Sequence, residues 1–208
     1  MRRVAGRAQT LRTSPASPFG RKVRIAAALL GLEARVAIVL ADTGDPADSL
    51  RQQNPLGKIP ALILEDGETL FDSRAIVEYL DWLAGGQKLF PAPGPERFKV
   101  LRGLALADGI TDAAILLVYE QRWREPSQHS EKWKDHQSGK ISRGLASLES
   151  APPPESVFDI AAIALACMLG YLDLRFQGAW RAGHPRLVAW LTAFDAAVPA
   201  FEATRYRA

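Results

Sequence analysis

The sequence feature that most constrains the fold is the turn from Ser14 to Ser17, which leads directly into an amphipathic helix. Ser17 precedes Pro18, and this pair predicts an N-cap followed by a proline at the first helical position, where a missing N–H costs nothing. Apolar residues then recur at three- and four-residue spacing as far as Leu30, and Gly31 predicts a left-handed stop. We therefore expect a helix that starts at Pro18 and buries one face.

Strand patterns lie on both sides of this helix, at residues 9–13 and at the β-branched segment 34–40. A right-handed crossover makes such strands parallel, and the first strand then ends where the helix begins. Ligands favour that corner in α/β folds. The first segment therefore predicts a βαβ unit with a binding site at the start of its helix.

A hairpin is predicted next, with strands at 59–64 and 68–71 on either side of the turn at Asp66-Gly67. A short helix is expected before it, at 48–53. Pro60 stands at the beginning of the first hairpin strand and has no N–H to donate. We therefore expect that the backbone groups of Ile59 are not all hydrogen-bonded to the neighbouring strand. Ser73 is predicted to cap a second long helix, which places Asp72 and Ser73 at another helix N-terminus.

Residues 91–95 contain three prolines and a glycine, and this stiff break is the best predicted domain boundary. After it, helical periodicity occupies 96–124, 130–150, 157–176 and 186–204, with a capping box of Ser156 and Asp159 ahead of the third helix. The predicted organisation is a basic tail at 1–8, an α/β domain at 9–86, a linker at 87–95 and an all-α domain at 96–208.

Charge is unevenly distributed in this chain of 208 residues with a formal net charge of +3. The first 32 residues hold seven Arg or Lys and no acid. A solvated tail is the commonest reason for such an end, and a small anionic ligand or a nucleic-acid arm would give the same pattern. We expect no nucleic-acid partner.

Several classes of protein are disfavoured by the remaining composition. No apolar run approaches the roughly 20 residues that cross a bilayer, so we expect no membrane segment. Cys167 is the only cysteine and lies in an apolar helical segment, which predicts a core position and a reducing, cytoplasmic compartment. Three histidines, His129, His136 and His184, do not cluster, and we expect no metal.

The start of the first helix is the best candidate for chemistry. Its unpaired N–H groups and dipole would stabilise an anion such as a thiolate, and Arg21, Lys22 and Arg24 follow closely. The Ser17 hydroxyl could point at that anion. Taken alone, however, a serine before proline at a helix start is most often only a cap.

Three segments together resemble the N-terminal half of the glutathione S-transferase family: Ser14-Pro-Ala-Ser-Pro-Phe-Gly-Arg-Lys-Val-Arg24, Asn54-Pro-Leu-Gly-Lys-Ile-Pro60 and Leu70-Phe-Asp-Ser-Arg-Ala-Ile76. Their order and spacing match as well. The linker and the helical half are also similar, so the resemblance covers about residues 9 to 205. Bacterial members related to the theta and zeta classes are the most similar.

The resemblance implies a thioredoxin-like N-terminal domain followed by an all-helical bundle, and an enzyme that adds the sulfur of its co-substrate glutathione to small hydrophobic electrophiles. Ser17 matches the activating serine of the family, although Ser14 is near enough to be confused with it. A homodimer without a metal is implied.

Glutathione contacts are also implied by the resemblance. The Ile59–Pro60 bond would be cis, with the Ile59 backbone pairing with the cysteinyl residue of glutathione, and Lys58 would approach the glycine carboxylate. Asp72 and Ser73 match the acid-serine pair that holds the γ-glutamyl end. The acid is more commonly glutamate, so the shorter Asp72 puts the strength of that contact in question.

Other functions stay open at this stage. A glutathione-dependent peroxidase or isomerase would use the same site, and a non-catalytic binding or regulatory protein could keep the fold without turnover. A glutaredoxin-like thiol reductase is disfavoured because serine, not cysteine, stands at the head of the first helix.

Overall fold

The structure, a computed structural model, describes residues 9–207. The chain divides into two compact units: the residues up to Ala92 together with the segment from Val198 onward, and Pro93–Ala197. The predicted basic tail at 1–8 lies outside the described residues. The domain bounds derived from the sequence remain predictions.

The first unit is built on a four-stranded sheet in the order β2-β1-β3-β4. The strands are β1 (Gln9–Thr13), β2 (Val36–Leu40), β3 (Ala61–Ile63) and β4 (Thr69–Leu70). β1 pairs with β2 in parallel and with β3 antiparallel, and β3 pairs antiparallel with β4. The predicted βαβ unit and hairpin are therefore confirmed, with strands shorter than expected at 34–40, 59–64 and 68–71.

The helices of the first unit are α1 (Pro18–Leu29), α2 (Leu50–Gln53) and α3 (Ser73–Leu83). α1 begins as predicted, because the Ser17 side chain accepts a hydrogen bond from the Gly20 N–H. It buries Val23, Ile25 and Ala26, and the chain leaves it through Gly31 at φ +69°.

The N-cap of α3 differs from the prediction. Ser73 was expected to cap this helix, but Asp72 is the N-cap and accepts from the Arg74 N–H, while Ser73 is the first helical residue and is buried. Asp and Ser are both good caps, so the pattern alone does not decide between neighbours. The helix ends at Leu83, and the predicted pair of glycines, Gly85 and Gly86, follows with positive φ at both residues.

The second unit is all helical, as predicted. It contains α4 (Pro95–Trp123), α5 (Glu131–Ser150), α6 (Ile160–Phe176) and α7 (Pro185–Ala197). α6 is apolar along most of its length, and it includes the buried Cys167. None of the helices within residues 9–207 has both the length and the apolar character that crossing a membrane requires.

The single helix expected over 186–204 is interrupted. α7 ends at Ala197, and a short α8 (Pro199–Ala203) follows after Val198. A proline restricts the residue before it to extended conformations, and Val198 has φ −122° and ψ 84°. α8 then packs against α1 within the first unit.

The cap of α6 also differs from the prediction. Ser156 was expected to be the N-cap, but the chain makes a turn there, in which Val157 N–H donates to the Pro154 carbonyl. The N-cap lies three residues later, at Asp159, whose carboxylate accepts from the Ala162 N–H at 2.9 Å, and the helix starts at Ile160.

We predict that Asp159→Ala lowers the free energy of unfolding by about 1 kcal/mol, because it removes the side-chain acceptor of an N-cap. Ser156→Ala, the matched variant three residues away, is expected to change it by less than about 0.5 kcal/mol. Urea titration followed by circular dichroism measures both. Equal losses in the two variants would contradict the assignment of Asp159 as the cap.

Candidate functional site

The Ser17 hydroxyl lies at the head of α1 in a half-buried position. Its oxygen accepts from the Gly20 N–H at 3.0 Å, and its own N–H donates to the Ser14 carbonyl at 3.1 Å. The hydroxyl oxygen is thus used as an acceptor, and the hydroxyl hydrogen remains able to donate. The structure places Ser17, not Ser14, at the N-cap.

The pairing of the strands brings three groups of predicted site residues to one end of the sheet. These groups are Ser17, the Ile59–Pro60 pair and the Asp72–Ser73 pair. Arg12 in β1 lies opposite Ala61 in β3, so that β3 begins beside the end of β1. Leu62 lies opposite Leu70, so that β4 ends beside the start of β3. The turn to Ser17, the Ile59–Pro60 pair and the Asp72–Ser73 pair therefore all leave the sheet on the same side, and α1 and α3 pack against each other there.

The loop before β3 is held by a buried asparagine. Asn54 Nδ2 donates to the Lys58 carbonyl at 2.8 Å, and Asn54 Oδ1 accepts from the Leu56 N–H at 3.0 Å. The Ile59–Pro60 peptide bond that follows is cis, which confirms the prediction made from the resemblance. The Lys58 side chain is exposed, and Ile59 is half-buried.

The N-terminus of α3 carries the exposed carboxylate of its N-cap, Asp72. Asp72 Oδ1 accepts from the Arg74 N–H at 2.9 Å, and Asp72 Oδ2 lies 4.0 Å from Arg74 Nε. The Phe71–Asp72 peptide bond is also cis. Asp72 keeps an exposed negative charge at this corner, whereas Ser73 is buried beneath it.

Two basic residues of α1, Arg21 and Lys22, are engaged in contacts within the protein, whereas the sequence suggested that they would attract an anion at the N-terminus of the helix. The Arg21 guanidinium donates to the Phe201 carbonyl and to Thr204 Oγ1, and it stacks 3.9 Å from the centre of the Phe201 ring. Lys22 is buried, with its Nζ 5.2 Å from the centre of the Phe19 ring. Arg21 therefore serves the packing of α8 on α1, because a long side chain follows the groove that the neighbouring helix offers.

A second arginine, Arg12, braces the loop that leads to the site, and sequence reasoning missed it. Its guanidinium donates to Asp48 Oδ1 at 2.7 Å, to Ser49 Oγ at 2.8 Å and to Gln53 Oε1 at 2.5 Å. Both members of the Arg12–Asp48 ion pair are largely buried, at 7% and 13% exposure. Side chains alternate along a strand, so Arg12 lies on the face opposite Leu11 and Thr13. That alternation is the signal that could have found it.

We predict that Asp48 makes the protein sensitive to acid. Hydrogen bonds from the Asp42 and Leu50 N–H groups, together with Arg12, hold the pKa of Asp48 below its ordinary value of 3.8. A lowered carboxyl pKa contributes stability that is present above 3.8 and is lost as the pH falls through the folded-state pKa. Asp48→Asn is therefore expected to be less stable at pH 7 and to lose less stability on acidification.

Urea unfolding at a series of pH values between about 7 and 2 measures this difference, because the stability is lost below the ordinary pKa of 3.8. Glu68→Gln, which removes one exposed carboxylate from the hairpin, controls for the change in net charge. The same loss of stability in Asp48→Asn and in the unmodified chain over this range would contradict the prediction.

The predicted absence of a metal stays a prediction. Over residues 9–207, no group of three or more His, Cys, Asp or Glu side chains is placed to hold a metal ion. His184 Nδ1 lies 2.6 Å from the Trp180 carbonyl, and His129 Nε2 lies 3.3 Å from the Arg124 carbonyl.

Comparison with known protein families gives two matches. The family model described as the N-terminal domain of glutathione S-transferase matches residues 11–88, and the one for the C-terminal domain matches residues 131–193. Among curated proteins, the chain is 36% identical over 177 residues to the uncharacterized GST-like protein YibF of Escherichia coli K12, covering 83% of this chain and 86% of YibF. It is also 32% identical over 141 residues to the maleylacetoacetate isomerase of Pseudomonas aeruginosa, covering 62% of each chain.

Solved structures show the same likeness. A glutathione transferase family member from Pseudomonas fluorescens Pf-5, with bound glutathione, superposes with a TM-score of 0.91 at 45% identity and covers 97% of this chain and 100% of its own. A glutathione S-transferase from Methylobacillus flagellatus, also with glutathione bound, has a TM-score of 0.89 at 38% identity, with 96% and 100% coverage.

Proposed function

Because the chain belongs to the glutathione S-transferase family, we propose that it binds glutathione at the shared sheet edge and transfers the glutathione sulfur to small hydrophobic electrophiles. The observation that supports this most is the placement of Ser17: its oxygen accepts from the α1 backbone, while its hydrogen can donate to a bound sulfur. Glutathione is bound in both of the solved structures described above.

Binding would use the three groups at this edge. The Ile59 N–H and C=O would pair with the cysteinyl backbone of glutathione, as a strand pairs with a peptide. Lys58, exposed beside it, would meet the glycine carboxylate. Asp72 would pair with the ammonium of the γ-glutamyl end, and the first turn of α3, where Ser73 lies, would receive its carboxylate.

Activation of the thiol follows from electrostatics at the head of α1. A free thiol with a pKa near 8.5 is only a few per cent thiolate at neutral pH. Lowering that pKa by about two units requires about 2.7 kcal/mol. The helix N-terminus contributes about 0.5 to 2 kcal/mol, and a Ser17 hydrogen bond to the charged sulfur contributes about 1.5 to 3 kcal/mol. Together these two interactions are sufficient to ionise most of the bound thiol.

We predict that Ser17→Ala lowers kcat/KM for conjugation by about 10- to 100-fold and raises the pKa of bound glutathione by about one to two units, because the donor to the sulfur is lost. The thiolate absorbance of the glutathione complex against pH, together with a conjugation assay, measures both. Ser14→Ala is the matched control and should change neither by more than about twofold.

Since Ser17→Ala also removes a cap, Ser17→Gly is needed beside it: glycine at an N-cap costs only about a few tenths of a kcal/mol relative to serine and has no side-chain donor. Loss of activity in both Ser17 variants, with nearly normal stability in Ser17→Gly, supports the donor role. Loss in Ser14→Ala with full activity in Ser17→Ala would assign the role to Ser14 instead.

We predict that Asp72→Asn raises the KM for glutathione by about two- to fivefold with little change in kcat, because an exposed ion pair with the γ-glutamyl ammonium is lost. The amide oxygen of asparagine can still cap α3, so the melting temperature should stay close to that of the unmodified chain. Glu68→Gln controls for net charge in the same assay. An unchanged KM in Asp72→Asn would remove Asp72 from the site.

A second candidate, glutathione-dependent isomerisation, is favoured by the similarity to a maleylacetoacetate isomerase. In an isomerisation the sulfur adds to the substrate and leaves again, so glutathione is not consumed. Measuring glutathione consumption against substrate turnover separates the two reactions. A peroxidase would instead form oxidised glutathione, and a non-catalytic binding protein would retain glutathione on an affinity column without turnover.

We also propose a homodimer in a reducing cytoplasm. The family resemblance supports the homodimer, and Trp82 and Phe98, at 69% and 70% exposure, are among the large apolar side chains that a partner could cover. The lone Cys167 is buried in α6, as suits a chain without disulfides.

A further inference from the structure

The Asn54 side chain holds the peptide group that joins Lys58 to Ile59. Asn54 is 1% exposed, and its Nδ2 donates to the Lys58 carbonyl at 2.8 Å. Its Oδ1 accepts from the Leu56 N–H at 3.0 Å, so both ends of the carboxamide are used within the loop. The backbone carbonyl of Asn54 also accepts from the Gly57 N–H, at 2.8 Å. The loop before β3 is therefore closed around one buried side chain.

The hydrogen bond to the Lys58 carbonyl fixes the direction of the Ile59 N–H. The Lys58–Ile59 peptide bond is trans, and in a trans peptide the C=O and the N–H point in opposite directions within one plane. Because the Lys58 carbonyl points at the buried amide of Asn54, the Ile59 N–H points away from that amide. Within residues 9–207, the Ile59 N–H has no hydrogen-bond partner. A donor with a fixed direction is thus left for a ligand.

The side chain of Ile59 anchors the same residue from another direction. It packs against a small cluster of buried apolar residues, Ala41, Leu50 and Ala61. The Ile59–Pro60 bond that follows is cis, and a proline nitrogen carries no hydrogen. Ile59 is therefore held by its side chain and by the peptide group before it, while none of the hydrogen bonds that the structure describes over residues 9–207 uses its own N–H or C=O.

We propose that Asn54 is a positioning residue for glutathione: by holding the Lys58 carbonyl, it aims the Ile59 N–H at the carbonyl of the cysteinyl residue. This inference rests on the proposed function, because the acceptor belongs to the peptide that the site is assigned to bind. A carbonyl that already accepts a hydrogen bond also makes the N–H of its own peptide group a better donor. The hydrogen bonds of Asn54 stay within α2 and the loop, so its effect is on binding and not on the ionisation of the sulfur near Ser17.

The experiment measures the binding of S-methylglutathione, whose blocked sulfur cannot ionise, by titration calorimetry of the full chain. Asn54→Asp keeps an acceptor for the Leu56 N–H, but its ionised side chain has no hydrogen to donate to Lys58. The dissociation constant is expected to rise by about three- to tenfold, because the orientation of one hydrogen-bond donor is lost. Gln52→Ala, which removes an exposed carboxamide two residues away, is the matched control and should stay within about twofold.

Asn54→Ser is the second variant, because a buried carboxylate at position 54 also carries a desolvation cost. A serine oxygen can still accept from the Leu56 N–H, as serine does in turns, but it is too short to reach the Lys58 carbonyl. This variant should weaken S-methylglutathione by about the same factor as Asn54→Asp. Urea unfolding establishes that each variant is folded at the temperature of the titration.

Two further readouts distinguish positioning from a general loss of structure. The pKa of bound glutathione should stay within about 0.3 units of its value in the unmodified chain in both Asn54 variants, whereas Ser17→Ala is predicted to raise it. In NMR spectra of isotope-labelled protein, the Ile59 amide proton should move downfield when S-methylglutathione is added. This displacement should be reduced in both Asn54 variants and kept in Gln52→Ala.

The outcomes separate this inference from the proposed function. Unchanged affinity in folded Asn54 variants, an Ile59 amide displacement equal to that of the unmodified chain, or an equal loss of affinity in Gln52→Ala would overturn the role of Asn54 while leaving glutathione binding intact. A rise in the thiol pKa as large as that in Ser17→Ala would also overturn it. If S-methylglutathione does not bind the unmodified chain at millimolar concentration, the proposed function fails and this inference fails with it.

Discussion

The hydrogen-bonded ladders on both sides of β1 are the interaction on which the rest of the first unit depends. β1 is parallel to β2, which fixes the crossover through α1, and it is antiparallel to β3, which brings the start of β3 to the end of β1. Because β4 runs back along β3, its end returns to the same edge. Two helix N-termini and the start of one proline-containing strand therefore meet at one end of the sheet as a consequence of the strand pairing.

The corner at Ser17 also depends on close packing between α1 and β1. A side-chain carbon at Gly20 would lie 1.8 Å from Thr13 Oγ1 and 3.3 Å from Ser17 Oγ, so only glycine lets the first turn of the helix approach the strand end this closely. The same Gly20 donates its N–H to Ser17. One residue thus sets both the position of the helix and the orientation of the hydroxyl that we assign to thiol activation.

The sequence predicted those elements whose signals are local and unambiguous. Ser17-Pro18 leads directly into the apolar periodicity of α1, whereas Ser14-Pro15 does not, and the Asp66-Gly67 turn matches a hairpin, so α1 and the β3–β4 pair were found. Where two capping residues stand close together, as at Asp72 and Ser73 or at Ser156 and Asp159, the pattern alone could not choose. The choice depends on where the preceding strand or turn ends, which is a tertiary property.

The basic residues near α1 are a second case in which the sequence pattern alone did not predict the contacts. Counting charge near α1 suggested that Arg21 and Lys22 would attract an anion, but Arg21 donates to Phe201 and Thr204 and Lys22 is buried beside Phe19. Arg12 likewise pairs with Asp48. A thiolate at Ser17 would therefore be stabilised mainly by backbone N–H groups and one hydroxyl. Such fixed dipoles are already oriented before the ligand arrives, so they stabilise the ionised sulfur without the reorganisation that long cationic side chains require.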